Sequence, residues 1–235
     1  MMTKPVLSSL LILSCFISVS LACAGECVED ADVYLKELQA ITDVNSRSAT
    51  DRNAIVSRLF CLYNDARFTM ASQYPKTFAS QSAIDEIREE NRKNRESCFK
   101  VIPRFLKSSS PEIRCAATRV LAYYGWPQAF ELLMRCEDSR PDMKATLFAI
   151  VGDRRAVPWI IEQYKRSDAR YRDRPAFILH CKMAYLNALY HLASPVQLPF
   201  IQSVIRAPQP AEVRHRAEEV RDHIRQLYPE RKRSA

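Results

Sequence analysis

Apolar positions recur at helical spacing through the middle of the chain. Between Pro111 and Trp126 they fall at Ile113, Ala116, Ala117, Val120, Leu121 and Tyr124, the single stripe of an amphipathic helix. Gly125 follows as a stop, and a second apolar set begins at Ala129, Phe130 and Leu133. The arrangement then returns. Gly152, Ala156, Val157 and Ile160 each lie 27 residues after Gly125, Ala129, Phe130 and Leu133, and a constant offset marks an internal repeat. Residues 113–134 and 146–163 are therefore each predicted to form a helix, a glycine stop, a short polar turn and a second helix.

The same units extend in both directions. Residues 101–106 (VIPRFL) look like the second helix of an earlier copy, and Leu198-Pro199-Phe200-Ile201 overlies Val157-Pro158-Trp159-Ile160. Glu212, Val213, Arg214, Ala217 and Val220 repeat Glu112, Ile113, Arg114, Ala117 and Val120 at an offset of 100. Pro111, Pro127, Pro141, Pro175, Pro195 and Pro210 stand where first helical residues belong, because a residue there needs no N–H donor. Ser110 and Ser194 precede two of them as candidate N-caps. Upstream, residues 26–41 and 51–64 are predicted to pair as two amphipathic helices, on Val33, Leu35, Leu38 and Ile41 and on Ile55, Val56, Leu59 and Leu62. Residues 70–82, broken at Pro75, read as a linker. Residues 83–100 are so rich in charge that they read as a solvated helix face held by ion pairs.

Composition narrows the class. The 235 residues are 47% hydrophobic and 26% charged, ordinary for a globular protein. With only three glycines, a glycine-rich phosphate loop and turn-rich β architectures are disfavoured. Lys4 followed by the uncharged apolar run 6–22 and by Ala22-Cys23-Ala24 has the form of a cleaved export signal ending before Gly25. The organisation read from sequence is a signal peptide at 1–24, an N-terminal helical hairpin or cap with linker at 25–80, a repeat region at 81–228 and a basic tail at 229–235. The predicted address is periplasmic or secreted, with a lipoprotein anchored through Cys23 as the alternative. No later segment is long and apolar enough to span a membrane.

Cysteine usage agrees with export. Cys27, Cys61, Cys98, Cys115, Cys136 and Cys181 remain after the signal, an even number of the kind that forms a disulfide framework. Cys115 and Cys136 are equidistant from the turn at Gly125–Trp126, so antiparallel helices should bring them level, and they rank as the first pair. Cys27 with Cys61 would join the two N-terminal helices, which leaves Cys98 with Cys181. No C-x-x-C or Cys/His spacing suggests a metal site, and neither metal nor cofactor is expected.

Ile113-Arg114, Ala116-Ala117, Gly125 and Ala129, and more closely Gly152-Asp153-Arg154-Arg155-Ala156-Val157-Pro158, resemble the short HEAT-like repeats of the phycobilin lyase type. The resemblance covers about residues 97–227. It implies an all-α, right-handed α-solenoid of HEAT-like helical hairpins, with the second helices lining a concave side and residues 25–80 as an N-terminal cap. Members include chromophore lyases, an iron hydroxylase, DNA glycosylases and passive scaffolds, so the resemblance leaves activity open. The hydroxylase needs His-Glu pairs, whereas His180, His191, His215 and His223 precede Cys181, Leu192, Arg216 and Ile224.

Two features read as partner-binding candidates, and no residue reads as catalytic. Trp126 stands at a hairpin tip beside Tyr123 and Tyr124, where an aromatic can anchor a partner. Lys165, Arg166, Arg170, Tyr171, Arg172 and Arg174 form the most basic connection and, with Arg154 and Arg155, are expected to make a cationic patch. Trp159 shares a column with Leu132 and Phe200 and reads as core. The net charge of +8 favours acidic partners. Outside the cytoplasm these are acidic proteins, anionic glycans or lipids rather than nucleic acid. The leading expectation is a scaffold that binds a protein partner along its concave face. The alternative is an enzyme or binding module acting on an anionic envelope polymer through the basic patch.

Overall fold

The computed structural model describes residues 27, 30–45, 48–63, 81–137 and 140–229. The expected signal segment, the lipidation site at Cys23, most of the linker and the basic tail beyond Pro229 lie outside the described residues.

Eleven α-helices make up the described residues: α1 Ala31–Ala40, α2 Ala49–Tyr63, α3 Gln81–Glu90, α4 Arg95–Val101, α5 Pro111–Tyr123, α6 Ala129–Arg135, α7 Pro141–Val151, α8 Val157–Arg170, α9 Pro175–Leu192, α10 Leu198–Arg206 and α11 Ala211–Leu227. Short 3₁₀ turns extend α4 (Ile102–Lys107) and introduce α8 (Arg154–Ala156) and α10 (Pro195–Gln197). The chain is an all-α solenoid. One layer runs α2, α5, α7, α9, α11, each packed on the next, and the other holds α1, α4 with its 3₁₀ turn, α6, α8 and α10. A helix that is apolar all round belongs in an interior. Accordingly α7 buries every residue from Lys144 to Ile150, and α9 every residue from His180 to Leu189. The second-layer helices are amphipathic, and each inserts at least one fully buried side chain, among them Phe105, Leu133, Ile160 and Ile201, all 0% exposed. The 100-residue repetition holds in packing too, since Ile113, Ala117 and Val120 and their counterparts Val213, Ala217 and Val220 are completely buried.

Both repeat glycines do what a stop requires. Gly125 (φ 76°) and Gly152 (φ 78°) are left-handed, a conformation that costs a side-chain-bearing residue roughly 1–2 kcal/mol. After Gly125 the Trp126 N–H donates to Leu121 O at 2.8 Å and the Gly125 N–H to Ala122 O at 2.9 Å, which satisfies carbonyls at the end of α5. Ser110 caps α5 through its hydroxyl, which accepts from the Ile113 N–H. Ser194 precedes its turn without such a bond. Pro111, Pro141, Pro175 and Pro195 open their elements, but Pro210 is the cap residue of α11 and Pro127 stays in the turn before α6.

Two sequence expectations need correction. Residues 83–100 are solvated on one side only: Asp85, Glu89, Glu90, Arg92, Lys93 and Glu96 are exposed, with ion pairs Arg88–Asp85 and Arg92–Glu89, but the other side is buried. Ile87 is 2% exposed, and the segment lies across the ends of the first-layer helices, with α3 packed on α7. Cys115 and Cys136 are not bridged, and neither are Cys98 and Cys181; all four are thiols. The turn after α5 occupies five residues and α6 ends at Arg135, so Cys136 has already left the helix that was to bring it level with Cys115. Cys27 and Cys61 do form a disulfide, with Cα atoms 5.3 Å apart.

Candidate functional site

Much of the basic charge is structural. The last turns of α1, α5 and α7 contain no basic residue, and that of α9 offers only His191. Their terminal carbonyls, partially negative, instead receive side chains from elsewhere. Arg104 donates to Leu38 O at the end of α1. At α5, Asn91 donates to Tyr123 O at 2.6 Å and Arg95 to Tyr124 O at 3.1 Å. At α7, Arg88 donates to Ala149 O at 2.7 Å and Ile150 O at 3.3 Å. At α9, Arg154 donates to Leu192 O at 3.0 Å. The helices α6, α8 and α10 and the Ile102–Lys107 turn each carry their own terminal cation.

The expected cationic patch is divided by this arrangement. Arg154 is spent on α9 and lies 5.7 Å from the Tyr228 ring. Arg155 pairs with Asp153 and Glu131 and sits over Phe130 at 4.2 Å. Both precede α8, whereas Arg170 closes that 14-residue helix, about 20 Å along the axis. Lys165, Arg166 and Arg170 belong to the helix rather than to a loop. Arg166 pairs with Glu162 at 2.7 Å. Arg170 reaches Gln163 and the Tyr171 ring, and Tyr171 is half-buried edge-on against Phe177. Arg172 and Arg174 are exposed. Trp126 is half-buried against Phe99, with ring centroids 6.2 Å apart, and Tyr123 and Tyr124 beside it are buried. Trp159 is half-buried between Phe148 and the Lys144 ammonium.

Three buried polar groupings tie neighbouring helices together, two within the first layer and one between the layers, and none was visible in sequence. Asp142 at the start of α7 accepts from Arg140 at 2.8 Å and pairs with His180 of α9 at 3.1 Å. Burial alone would push the Asp142 carboxyl up, but hydrogen bonds from His180 and Arg140 hold it well below the usual carboxylate range. Lys144 and Lys182, on α7 and α9, reach the ends of second-layer helices. Lys144 donates to Cys136 O at 2.9 Å, and Lys182 to Asp168 at 2.8 Å and Gln209 at 3.0 Å. Tyr190 stacks on His223 (3.9 Å, 9°) with the Arg216 guanidinium 4.6 Å from its ring, and Arg216 donates to Asn187 at 2.6 Å. His191 nearby is pushed down to about 4 by burial, against an opposing pull from Asp85 and with further lowering by Arg88, Arg216 and His223.

Burial drives the thiols of Cys98 and Cys181 far up, so neither is nucleophilic. Among the described residues no cluster of three or more His, Cys, Asp or Glu is arranged for a metal ion. An open cleft of about 600 Å³ at the α1–α2 end is lined by Glu37, Ile41, Asp43, Asp51 and Arg58 among others. Glu37 and Arg58 there neutralise one another. No described helix is long and apolar enough to cross a membrane.

The second-layer surface carries two lines of exposed character. Leu132, Trp159 and Phe200, each one position before its helix's buried anchor, are all half-buried, and Met134 beside them is 41% exposed. At the helix ends stand Lys107, Arg135, Arg170 and Arg206. Their direction follows from short connections, which make neighbouring helices antiparallel and bring the second-layer C-termini to one edge.

Tandem antiparallel hairpins stacked in two layers define a helical-repeat scaffold. The repeat itself is recognisable: residues 113–139 match the PBS lyase HEAT-like repeat, which supports a HEAT-like repeat architecture. Comparison with curated proteins and with solved structures gives no match.

Proposed function

We propose that the protein is an exported HEAT-like repeat scaffold that binds a protein partner along its second-helix face, the concave side in the repeats it resembles. The observation that supports this is the column Leu132, Trp159 and Phe200 with Met134. Large apolar side chains left partly in water at equivalent points of successive repeats are the kind of surface that serves interaction. The buried ionic groups offer no competing chemistry, because each already serves helix ends or layer contacts. A photoreactive residue placed at Met134 or Ser203 should yield one discrete adduct in cell-envelope material, and the same probe at His215 or Asp222 of α11 should not. Equal labelling from both faces, or none from the second-helix face, rules the reading out.

Export rests on the 1–24 segment, with the Cys27–Cys61 disulfide as independent support for an oxidising compartment. Mass spectrometry of the purified protein should find a mature chain beginning at Gly25. A diacylated Cys23 would make it a lipoprotein, and a chain retaining residues 1–24 in the cytoplasm would end the proposal. The exposed Arg172 and Arg174 keep the second reading, binding to an anionic envelope polymer. On that reading envelope glycan fragments, rather than a polypeptide, should protect this connection from proteolysis.

A further inference from the structure

Two imidazoles meet at the junction of α9 and α11, the contact that holds the last helix of the stack. The His223 ring of α11 lies flat on the Tyr190 ring of α9, with centroids 3.9 Å apart and planes 9° from parallel. His191, the next residue, sets its ring at a steep angle to Tyr190, 5.7 Å away. The Arg216 guanidinium approaches the same phenol at 4.6 Å and donates to Asn187 at 2.6 Å. Arg216 is 6% exposed, and its Nη2 is buried without a hydrogen-bond partner. The rest of the buried face of α11 is aliphatic: Val213, Ala217, Val220 and Ile224 are each 0% exposed.

The carboxylates around this pair are already matched. On α11, Glu219 pairs with Arg216 at 2.7 Å and reaches exposed His215, while Asp222 pairs with Arg221. From α3 come Asp85 and Arg88, which hold one another at 3.2 Å. Before α8 stands Arg154, committed to Leu192 O at the end of α9. The Pro195–Gln197 turn and the last turn of α7 carry no charge.

The packed arrangement therefore resists proton uptake at both rings. Burial lowers His191 to about 4, helped by Arg88, Arg216 and His223 and opposed by Asp85; burial together with Arg216 lowers His223. The carbonyl end of a helix favours a cation, but Arg154 already occupies it. Once α11 has left α9, both rings take up protons at ordinary values, so acid favours the undocked state. For His191 alone, about 4 against 6.5, the opening equilibrium grows up to about 25-fold between pH 7 and pH 5. Over the same range Asp142, held well below the usual carboxylate range, keeps its charge and its place between α7 and α9.

We propose that Tyr190, His191, Arg216 and His223 form an acid-released latch. Protonation of the two imidazoles undocks α11 from α9 and bares the face of Val213, Ala217, Val220 and Ile224, while the stack from α5 to α9 stays folded. The latch does not depend on what the second-helix face binds.

The test is hydrogen exchange of the purified protein, read by mass spectrometry and corrected for the intrinsic rate at each pH. Between pH 7 and pH 5 the protection of amides 213–224 should fall about tenfold or more, and that of amides 113–123 and 144–150 less than about twofold. A naphthalene sulfonate dye, which brightens on apolar surface, should gain fluorescence over the same interval. H191Q/H223Q should cut the α11 change to under about threefold, whereas H215Q, at the exposed imidazole of the same helix, should leave it as it was. H191Q and H223Q singly should each remove part of the change, which keeps the test available if the double variant does not fold. Each variant is compared with itself at the two pH values, so lower protection at pH 7 does not spoil the comparison. Equal loss across α5, α7 and α11 would be general acid destabilisation and overturns the proposal. So does an undiminished change in H191Q/H223Q, or an α11 equally protected at both pH values.

Discussion

The guanidinium of Arg88 donates to the main-chain oxygen of Ala149 at 2.7 Å, across 61 residues of sequence. It does so where α7 ends at Gly152 with no basic residue in its own last turn. A charged hydrogen bond contributes about 1.5–3 kcal/mol, and half-burial reduces that. Arg88→Ala and Arg95→Ala should each lower unfolding free energy by about 1–2 kcal/mol in urea titrations. Arg92→Ala, which removes an exposed ion pair with Glu89, should stay within about 0.5 kcal/mol. Equal effects at all three positions would show that α3 does not serve the helix ends.

Gly152 tests the stop itself. An added Cβ would meet nothing closer than the Arg88 Nη2 at 3.7 Å, so space is not the constraint. The left-handed backbone is. Gly152→Ala should destabilise by about 1–2 kcal/mol, and Gly152→Asn by less, because asparagine tolerates that conformation better. A thermal melt of the two variants measures the order, and alanine equalling asparagine would contradict it.

Stability should fall with acid in a window set by His191. Its folded value is about 4 against an ordinary value of 6.5. Between those values the unfolded chain holds the extra proton, so unfolding free energy rises with pH there. The loss should begin as pH drops below about 6.5 and level off near 4, with a total of order 3 kcal/mol. His191→Gln should flatten this segment of the curve. Asp142 acts separately: its depressed carboxyl contributes stability above the ordinary carboxylate range, and that is lost only in stronger acid. A His191→Gln curve with an unchanged slope between pH 4 and 6.5 would refute the assignment.

Thiol chemistry distinguishes the cysteines. Under native, non-reducing conditions an alkylating reagent should reach half-buried Cys115 before Cys98, Cys136 and Cys181, which are buried. Reduction should release the loop closed by Cys27 and Cys61, 34 residues apart in sequence, and lower stability by about 3–4 kcal/mol. Peptide mapping of alkylated protein reads both outcomes. A Cys115–Cys136 bridged peptide would reinstate the pairing expected from the turn.

Legibility followed locality. The 27-residue spacing of Gly125 and Gly152 was readable because a helix stop needs a left-handed residue, and glycine advertises it. Ser110 was readable for the same reason: its acceptor lies three residues away. The buried anchors Leu133 and Ile160 followed from their place in the repeat. The targets of Arg88, Arg95 and Arg154 were not readable, because a main-chain carbonyl leaves no mark in the sequence. Asp142 and His180 sit on different helices, with nothing between them to announce the pairing. Cys115 and Cys136 misled because their symmetry about the turn assumed two helices of equal reach, and α6 is only seven residues long. The grouping of the basic residues was not readable either, since Arg154 and Arg155 stand before α8 and Arg170 closes it.

A stack of hairpins in contact only with their neighbours would melt piecemeal, like beads sharing nearest-neighbour couplings. The α3–α4 segment breaks that independence, because its three side chains Arg88, Asn91 and Arg95 grip the ends of α5 and α7 together. The two hairpins it touches should therefore open as one cooperative unit, and their amides should exchange with solvent at a common free energy. At the far end α10 packs on α11 and touches α8 through Phe200 and Tyr164, while α11 packs on α9; with no further repeat beyond them, their amides should exchange first. The scaffold is therefore a stiff block with a terminal hairpin that breathes, and a partner lying along its second-helix face would have to tolerate motion at Arg206 that it never meets at Arg135.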